Sequence, residues 1–533
     1  MNELLFPYPS RRSLVYSSRG MVATSQQLAA QAGLDMLKRG GNAVDAAIAT
    51  AMALCIVEPC SNGFGGDAFV IVSKDDKLYG LNSSGPAPMA ISIEKVRAMG
   101  HETMPAFGVA PINVPGIPRA WAELSERFGS LPLTELAGPA LAYAEDGFPV
   151  SAVVAAGWRS AFERLLPYRN DEAISLWYST YAPKGRAPLP GETWRQKDQA
   201  RTLRAIAESR ARDYYEGEIA DKIDAHMKKV GGFLRKEDLA AFKPEWVDPV
   251  SVSYRGCEVW ELPPNGQGLV ALMALNILSE MELVSRDRVS DWHTQIEAMK
   301  LAFTDGMRHI TDPKAMDVSV AELLSKKLAA QRRGLIGARA IDPAGVRPFD
   351  KGTVYLCAAD SDGMMVSFIQ SNYESFGSFV VVPETGICLQ DRGANFSLDP
   401  AHANCLAPGK RTYHTIIPGF LTKDGKAQGP FGVMGGFMQP QGHAQVVTNM
   451  LDYALNPQAA LDAPRWQWVS GRRVICERGV PQHIVTGLAD LGHEVEYSMN
   501  PGAFGRGQII QKNPMGGYIG ATEPRADGAV AAW

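Results

Sequence analysis

The sequence predicts an α+β fold, and two observations along the chain support this. Glycine-punctuated helical patterns fill the first third, whereas strand-like segments dominate after residue 353. Apolar residues recur at helical spacing in residues 25–37 and form a strand-length run in residues 68–73. No internal repeat, low-complexity stretch or long linker divides the chain. We therefore expect helices and strands to share one core in a single globular domain.

The first helices and strands are marked by their end signals. The helix predicted over residues 25–37 stops at Gly40-Gly41, which is a C-cap signal. Asn42 can then cap an alanine-rich helix over residues 43–54. The apolar stretch 46–57 is shorter than the roughly 20 residues that cross a bilayer, so it predicts a buried helix. A glycine loop at 61–67 leads into strands over 68–73 and 78–82.

The middle of the chain, residues 115–335, is predicted to consist mostly of helices and loops. The loop at 263–268 precedes a helix that runs to Leu278, and residues 293–303 form another amphipathic helix. Strands take over at 353–360, which a tight turn at 361–363 connects to a second strand over 364–373. This pair predicts a β-hairpin that begins at Thr353.

Composition excludes several classes of partner. Hydrophobic residues make up 46% of the chain and charged residues 21%, with a net charge of −4 and a pI near 6.2. These values give no electrostatic footprint for nucleic acid or an anionic membrane.

The first twelve residues lack the basic start and apolar core of a secretory signal. Seven scattered cysteines without a C-x-x-C pair favour buried thiols in a reduced, cytoplasmic protein.

Motifs for metals, phosphates and serine hydrolases are weak or missing. His293 and Glu297 have the spacing of a metal pair, but no third ligand motif lies nearby, so we expect a capping or surface pair. The glycines at 63–66 lack the Lys-Ser/Thr of a phosphate loop and predict a tight turn with close backbone approach. No G-x-S-x-G elbow is present. We expect no metal and no cofactor.

Two short segments carry candidate chemistry. Thr353 follows Gly352 at the mouth of a strand, where most threonines are ordinary β-branched residues. Gly435-Gly436 lies between an apolar strand and a helix predicted to start near Gln441, so consecutive N–H groups could form an oxyanion hole or a structural turn. The polar residues at 411–415 precede another strand and could orient a substrate or form a plain turn.

Seven blocks of the sequence, taken together, favour a functional role for these candidate residues. They are GGNAVDAA at 40–47, EP at 58–59 with the 63–66 loop, PPNGQG at 263–268, EAMKLAF at 297–303, TVYLCAAD at 353–360, MGG at 434–436 and DAPR at 462–465. In this order, from about residue 20 to residue 527, they resemble the γ-glutamyltranspeptidase family. Each block alone is weak, whereas the joint match is specific and covers nearly the whole chain.

The resemblance implies an N-terminal-nucleophile hydrolase with a four-layer αββα sandwich. Such a precursor cleaves itself, here between Gly352 and Thr353, into a large piece (1–352) and a small piece (353–533) that stay together as a heterodimer. Thr353 is the implied nucleophile, and its freed α-amine is the base. Gly435 and Gly436 would hold the oxyanion, and Ser371 matches the hydroxyl that holds the nucleophile. The two-piece protomer could pair further.

The departures from the family pattern bear on the substrate. Glutathione-using members bind the glutamyl α-carboxylate with an arginine and a Ser-Ser pair, and the α-amino group with an acidic residue. Ser84, His414-Thr415 and Asn395 stand at the matching positions, and Arg392 replaces a glutamine. A zwitterionic head would lose its charged partners, whereas Arg392 can still hold an anion. This favours a small anionic amide, as in the signal-less cytosolic members that include oxamate amidohydrolases.

The leading hypothesis is an amidohydrolase that converts oxamate to oxalate and ammonia through an acyl-enzyme. A γ-glutamyl hydrolase or transpeptidase, in which Arg392 or another arginine replaces the lost contact, and a β-lactam side-chain acylase are the alternative enzymes. An unprocessed, inactive scaffold is the alternative from another class, because Val354-Tyr355 differs from the Thr-His that follows the nucleophile in glutathione-using members.

Overall fold

The computed structural model describes residues 12–343 and 352–533. Residues 1–11, on which the expectation of no secretory signal rests, and residues 350–351, just before the expected cleavage site, lie outside the described residues. Within the described ranges, no helix is both long enough and apolar enough to cross a bilayer. The alanine-rich helix Ala43–Val57 is fully buried in the protein, as predicted.

Thr353 lies in the third strand of a seven-stranded antiparallel sheet, the first sheet. Its strands are, in spatial order, Ala529–Ala532, Met21–Thr24, Gly352–Ala359, Met365–Tyr373, Asp67–Lys74, Lys77–Ser83 and Glu245–Val247. The predicted hairpin is confirmed: strands Gly352–Ala359 and Met365–Tyr373 are antiparallel neighbours. Both are buried along their whole length, because the sheet is covered on its two faces.

A second seven-stranded antiparallel sheet packs against the first. Its strands are, in spatial order, Val15–Ser17, Tyr518–Thr522, Arg506–Lys512, Lys426–Met434, Gly419–Lys423, Cys257–Glu261 and Val250–Tyr254. The two sheets meet where the ring of Tyr355 lies over Gly432, since a Cβ at Gly432 would come within 2.4 Å of that ring. The glycine therefore makes room for an aromatic residue two positions after Thr353.

Helices cover the outer face of each sheet. Helices Gln27–Lys38 and Ala43–Val57 pack on the first sheet, and helices Gly268–Leu278 and Met438–Leu451 pack on the second. The other α-helices are Ile93–Ala98, Ile117–Phe128, Leu133–Leu136, Gly138–Asp146, Ala152–Leu165, Ser175–Tyr181, Lys197–Ser209, Arg212–Glu216, Glu218–Lys229, Lys236–Ala241, Val289–His309, Val320–Leu323, Lys326–Arg333, Pro457–Asp462 and Gln482–Asp490. The smaller sheets are Trp466–Ser470 with Arg473–Glu477 and Glu494–Ser498, Phe148–Pro149 with Thr193–Trp194, and Val381–Val382 with Ile387–Cys388. The α+β, four-layer αββα prediction is confirmed.

Local signals in the sequence were mostly reliable. Asn42 caps its helix by accepting from the N–H groups of Val44 and Asp45, as predicted. The glycine loop at 63–66 approaches backbone closely, because a Cβ at Gly66 would lie 2.3 Å from the carbonyl oxygen of Ser371. Two details differ from prediction. The helix after Gly435-Gly436 begins at Met438, and three strands between residues 245 and 261 interrupt the mostly helical middle.

Candidate functional site

Two hydroxyl groups converge on the peptide bond before Thr353. The Oγ1 of Thr353 donates to the carbonyl oxygen of Gly352 at 2.7 Å and lies 3.1 Å from the Oγ of Ser371. The Ser371 hydroxyl donates to the same carbonyl oxygen. Gly352 itself has no room for a side chain, since a Cβ there would lie 2.5 Å from the backbone nitrogen of Ser375. The arrangement can deliver a nucleophile and a proton donor to one carbonyl group.

An irregular stretch of the neighbouring strand accompanies this convergence. The pairing register shifts between Gly352, which faces Tyr373, and Val354, which faces Gln370. Tyr373 adopts a φ of +82°, which is rare for a bulky residue, and its N–H donates to the Ser371 hydroxyl at 2.8 Å. Strained backbone of this kind is concentrated at functional sites.

Arg392 is a buried cation with unused donors. It is 1% exposed; its Nη1 donates to the Thr415 hydroxyl at 2.6 Å, and its guanidinium lies 4.3 Å from the centre of the Tyr373 ring. Its Nε and Nη2 are buried without a hydrogen-bond partner in the part of the chain that the structure describes. Burial lowers the pKa of Arg392 to about 10, with Asp67 opposing, so the group stays charged at neutral pH. A carboxylate is the ligand that such a fork fits.

The glycine pair connects to the same cluster. Gly435 and Gly436 have φ angles of +138° and +58°, in the region that favours glycine. The side-chain amide of Gln267 donates to the carbonyl oxygens of both Gly436 and Thr415, at 2.9 and 2.7 Å. A continuous series of contacts thus links Thr353 to the glycine turn, through Ser371, Tyr373, Arg392, Thr415, Gln267 and Gly436.

Asn395 and His414 lie in the cluster but are engaged by the protein. Asn395 accepts from the Tyr373 hydroxyl at 2.7 Å and donates to the carbonyl oxygen of Tyr413 at 3.1 Å. His414 places its Nε2 3.0 Å from an Asp67 carboxylate oxygen, and its Nδ1 accepts from the N–H of Ile416 at 3.3 Å. Their roles in substrate binding stay predictions, and of the pair 414–415 it is the Thr415 hydroxyl that meets Arg392.

Asp67 and His414 form a buried pair, and Arg392 is close enough to influence the pKa of both. Burial raises the pKa of Asp67 to about 7, with Arg392 opposing, and burial lowers the pKa of His414 well below its usual value. His414 is therefore a neutral imidazole that donates through Nε2 to Asp67, and its ring stacks on Phe69 at 4.7 Å. The charge on Arg392 consequently faces an acid whose ionisation changes near neutral pH.

Ser84, at the position that matches an arginine in glutathione-using members, belongs to a local hydrogen-bond network. The Ser84 hydroxyl donates to the side-chain oxygen of Asn82 at 2.7 Å. Arg411 is close by, but its Nε donates to the Ser84 carbonyl oxygen at 2.9 Å and its Nη1 pairs with Glu245 at 2.7 Å. Arg411 is thus already paired, whereas Arg392 keeps two nitrogens without a partner among the described residues.

Sequence reasoning missed three residues of this cluster. Gln267 sits in the PPNGQG block, which was a usable signal. Tyr373 ends a predicted strand, and only its unusual φ distinguishes it from an ordinary β residue. Asp67 is 347 residues from His414 in the chain, and no local pattern announces that pair.

The His293–Glu297 pair differs from its prediction. Both side chains are buried, so a capping or surface pair is wrong, and His493 joins them with ligand atoms within 4.8 Å of one another. However, the Nζ of Lys300 lies 2.8 Å from a Glu297 carboxylate oxygen. The ammonium group supplies the positive charge at this cluster, which therefore does not require a metal ion.

Comparisons with known proteins agree with the geometry. A family described as “Gamma-glutamyltranspeptidase” matches residues 29–533. The chain is 38% identical to the glutathione hydrolase-like YwrD proenzyme of Bacillus subtilis, with 97% of this chain and 98% of the relative covered. It is 35% identical to the oxamate amidohydrolase proenzyme of Klebsiella pneumoniae, with 97% and 99% covered.

A solved structure gives a further match. A crystal structure described as cephalosporin acylase from Bacillus halodurans is 57% identical, with a TM-score of 0.96 over 99% of this chain and 98% of that one. The family match spans most of the chain, and two relatives exceed 30% identity over almost their full length. The chain therefore belongs to the γ-glutamyltranspeptidase family, and it is an amide hydrolase with the N-terminal-nucleophile fold.

Proposed function

We propose that this protein is a self-processing threonine amidohydrolase that cleaves a small anionic amide, with oxamate as the substrate. The observation that carries the proposal is the meeting of the Thr353 and Ser371 hydroxyls at the Gly352 carbonyl group. The proposed products of processing are residues 1–352 and 353–533, held together as a heterodimer. Relatives named as proenzymes support a processed form.

Processing begins when the Thr353 hydroxyl oxygen attacks the carbonyl carbon of Gly352. The Ser371 hydroxyl donates to the carbonyl oxygen and stabilises the negative charge that develops there. Collapse of the tetrahedral intermediate breaks the C–N bond, transfers the proton of the Thr353 hydroxyl to the departing nitrogen and leaves Gly352 as an ester on Thr353. Water then hydrolyses the ester, which releases the carboxylate of Gly352 and the free α-amine of Thr353.

Turnover uses the amine that processing exposes. An α-amine with a reference pKa near 7.7–8.0 can accept the proton of the Thr353 hydroxyl at neutral pH. Attack on the substrate amide forms an acyl-enzyme and releases ammonia, and water then frees the acid. The N–H groups of Gly435 and Gly436 are the proposed oxyanion donors, and the loss of one such donor costs about 2.7–4 kcal/mol in a comparable enzyme.

The substrate assignment rests on Arg392. Its two unpaired nitrogens favour an anionic ligand, and a carboxylate one bond from the scissile carbonyl is the smallest group that would pair with them. A γ-glutamyl head also needs an acidic partner for its amino group, but Asn395 is neutral and already hydrogen-bonded. The Klebsiella relative is named for oxamate, which supports the same choice.

One preparation tests both parts of the proposal. Intact-mass analysis of the purified protein should find two chains that separate before Thr353. Ammonia release from oxamate should then exceed p-nitroaniline release from a γ-glutamyl anilide. A single stable chain that hydrolyses amides normally would overturn the processing step, and rapid turnover of the anilide alone would overturn the substrate.

A cavity favours an acylase as the second candidate. A space of about 230 Å³ borders Asn395, Tyr413 and Phe437, and its walls include Met104 and Leu398. It exceeds what oxamate needs, and the 57% identical structure is described as a cephalosporin acylase. Release of the β-lactam amine from an N-acylated β-lactam would measure this activity. Turnover that exceeds that of oxamate would replace the first candidate.

The proposed location is the cytoplasm. All seven cysteines are unpaired, and Cys257 and Cys405 are partly exposed. Such thiols persist in a reducing compartment. Fractionation of cells that produce the native protein would test this, and recovery with the periplasmic proteins would contradict it.

A further inference from the structure

Residues 337–341 lie between the two pieces that processing would create. On one side is helix Val289–His309 of the large piece; on the other is the end of helix Gln482–Asp490 of the small piece. The N–H of Ala340 donates to the carbonyl oxygen of Leu491 at 2.8 Å, and Arg339 donates to that of Asp490 at 2.7 Å. This segment, here called the tail, belongs to the end of the large piece.

A buried ion pair holds the tail backbone at one residue. A carboxylate oxygen of Glu297 accepts from the N–H of Ile341 at 2.9 Å, and the Nζ of Lys300 donates to the carbonyl oxygen of Ile341 at 2.9 Å. The two side chains pair with each other at 2.8 Å and are fully buried. Both polar groups of one backbone unit are therefore satisfied by opposite charges.

Two histidines extend the contacts across the pieces. The Nδ1 of His293, in the large piece, lies 2.8 Å from the Nε2 of His493, in the small piece. The other nitrogen of His293 lies 2.9 Å from the carbonyl oxygen of Gly337, and the other nitrogen of His493 lies 3.4 Å from the Nζ of Lys300. The four side chains thus contact both ends of the tail.

One assignment of protons satisfies every contact. The Gly337 carbonyl oxygen can only accept, so His293 carries its proton on Nε2 and accepts at Nδ1. His493 then donates through Nε2 and accepts from Lys300 at Nδ1. Hydrogen bonds consequently run in one direction, from Lys300 through His493 and His293 to Gly337. Each of these three contacts has one donor and one acceptor, and connected buried hydrogen bonds of this kind rigidify the segments that they join.

We propose that His293, Glu297, Lys300 and His493 form a tail lock that fastens residues 337–341 to the small piece after cleavage. The proposal rests on the proposed cut before Thr353, because only a cut makes the tail a free end. The lock gives the EAMKLAF block a role. Its Glu297 and Lys300 hydrogen-bond to the backbone of Ile341.

Hydrogen exchange measured by mass spectrometry tests the lock in the full protein. In the cleaved wild-type protein, the amides of Ala340 and Ile341 should exchange as slowly as in the uncut Thr353→Ala variant, within about threefold. His493→Ala should speed their exchange at least tenfold in the cleaved protein. His493→Gln, which keeps a donor toward His293, should lie between the two. His483→Ala, an exposed histidine ten positions earlier, is the matched control.

Two results would overturn the lock. One is unprotected tail amides in the cleaved wild-type protein, and the other is equal exchange in His493→Ala and the His483→Ala control. If His493→Ala fails to fold, the milder His493→Gln decides the question in the same way. A single uncut mass refutes the proposed processing instead. The exchange comparison in the uncut chain then still reports whether the four side chains hold the tail.

Discussion

Arg392 and Lys300 are two buried cations with opposite surroundings. Arg392 is 1% exposed and Lys300 is 0% exposed. Lys300 meets Glu297, a backbone carbonyl oxygen and His493, whereas two nitrogens of Arg392 have no partner among the described residues. The burial of a charge costs several kcal/mol unless it is paired. The protein itself offsets this cost at Lys300, whereas at Arg392 the protein offsets only part of it and leaves two nitrogens for the proposed ligand.

The largest effect should come from Thr353→Ala, which removes the proposed nucleophile. Both cleavage and turnover require the hydroxyl, so we expect one uncut chain and no ammonia release above background. Thr353→Ser is the control, since it keeps a hydroxyl and should still be cut. Intact mass and ammonia assays give both readings; cleavage or turnover in the alanine variant would assign the nucleophile elsewhere.

Arg392→Met should show how much the unpaired donors contribute to kcat/KM for oxamate. Loss of a charged partner for a buried carboxylate costs about 2–5 kcal/mol, or roughly 30- to 5,000-fold in kcat/KM for oxamate. Arg392→Lys should recover part of the loss, because a point charge lacks the bidentate fork. Cleavage before Thr353 should proceed in both variants, and steady-state kinetics on the cut proteins supplies the numbers. Unchanged kcat/KM in Arg392→Met would remove Arg392 from the site.

Stability should respond by different amounts at the two cations. Lys300→Met strands Glu297 as a buried, unpaired charge and should destabilise the fold by about 3–5 kcal/mol. Arg392→Met removes a charge that meets the Thr415 hydroxyl, the Tyr373 ring and the field of Asp67 but has two nitrogens without a partner, and should therefore cost less stability than Lys300→Met. Urea midpoints in the uncut Thr353→Ala background compare them. The double variant Lys300→Met/Glu297→Leu should recover most of the loss, and equal midpoints for both single variants would contradict the comparison.

The smallest effect should be a pH dependence set by Asp67. Its folded pKa of about 7 lies above the unfolded value near 3.9, so the folded state retains a proton that the unfolded state releases. Stability should therefore fall as pH rises from about 4 to 7 and level off above that. Ionised Asp67 also competes for Arg392, so the KM for oxamate should rise a few-fold above pH 7. Asp67→Asn should flatten both profiles, and unchanged profiles would refute this role.

The sequence was informative where function depends on local pattern. The close approach at Gly66, the turn at Gly435-Gly436 and the capping residue Asn42 were all predictable, because a glycine loop, a glycine pair and a helix start each leave a short signature. Contacts between distant segments leave none. His493 reaches His293 across 200 residues, which is why the metal-like pair was mistaken for a surface pair. The family resemblance predicted the αββα layers, and the structure added that two nitrogens of Arg392 have no partner among the described residues.

Oxamide tests most directly whether Arg392 selects a carboxylate next to the scissile amide. Oxamide replaces the carboxylate of oxamate with a neutral amide of nearly the same shape. The wild-type protein should prefer oxamate by at least about 100-fold in kcat/KM, a difference of roughly 2.7 kcal/mol. Arg392→Met should lose that preference. Equal rates on the two compounds in the wild-type protein, or an unchanged preference in the variant, would contradict the account.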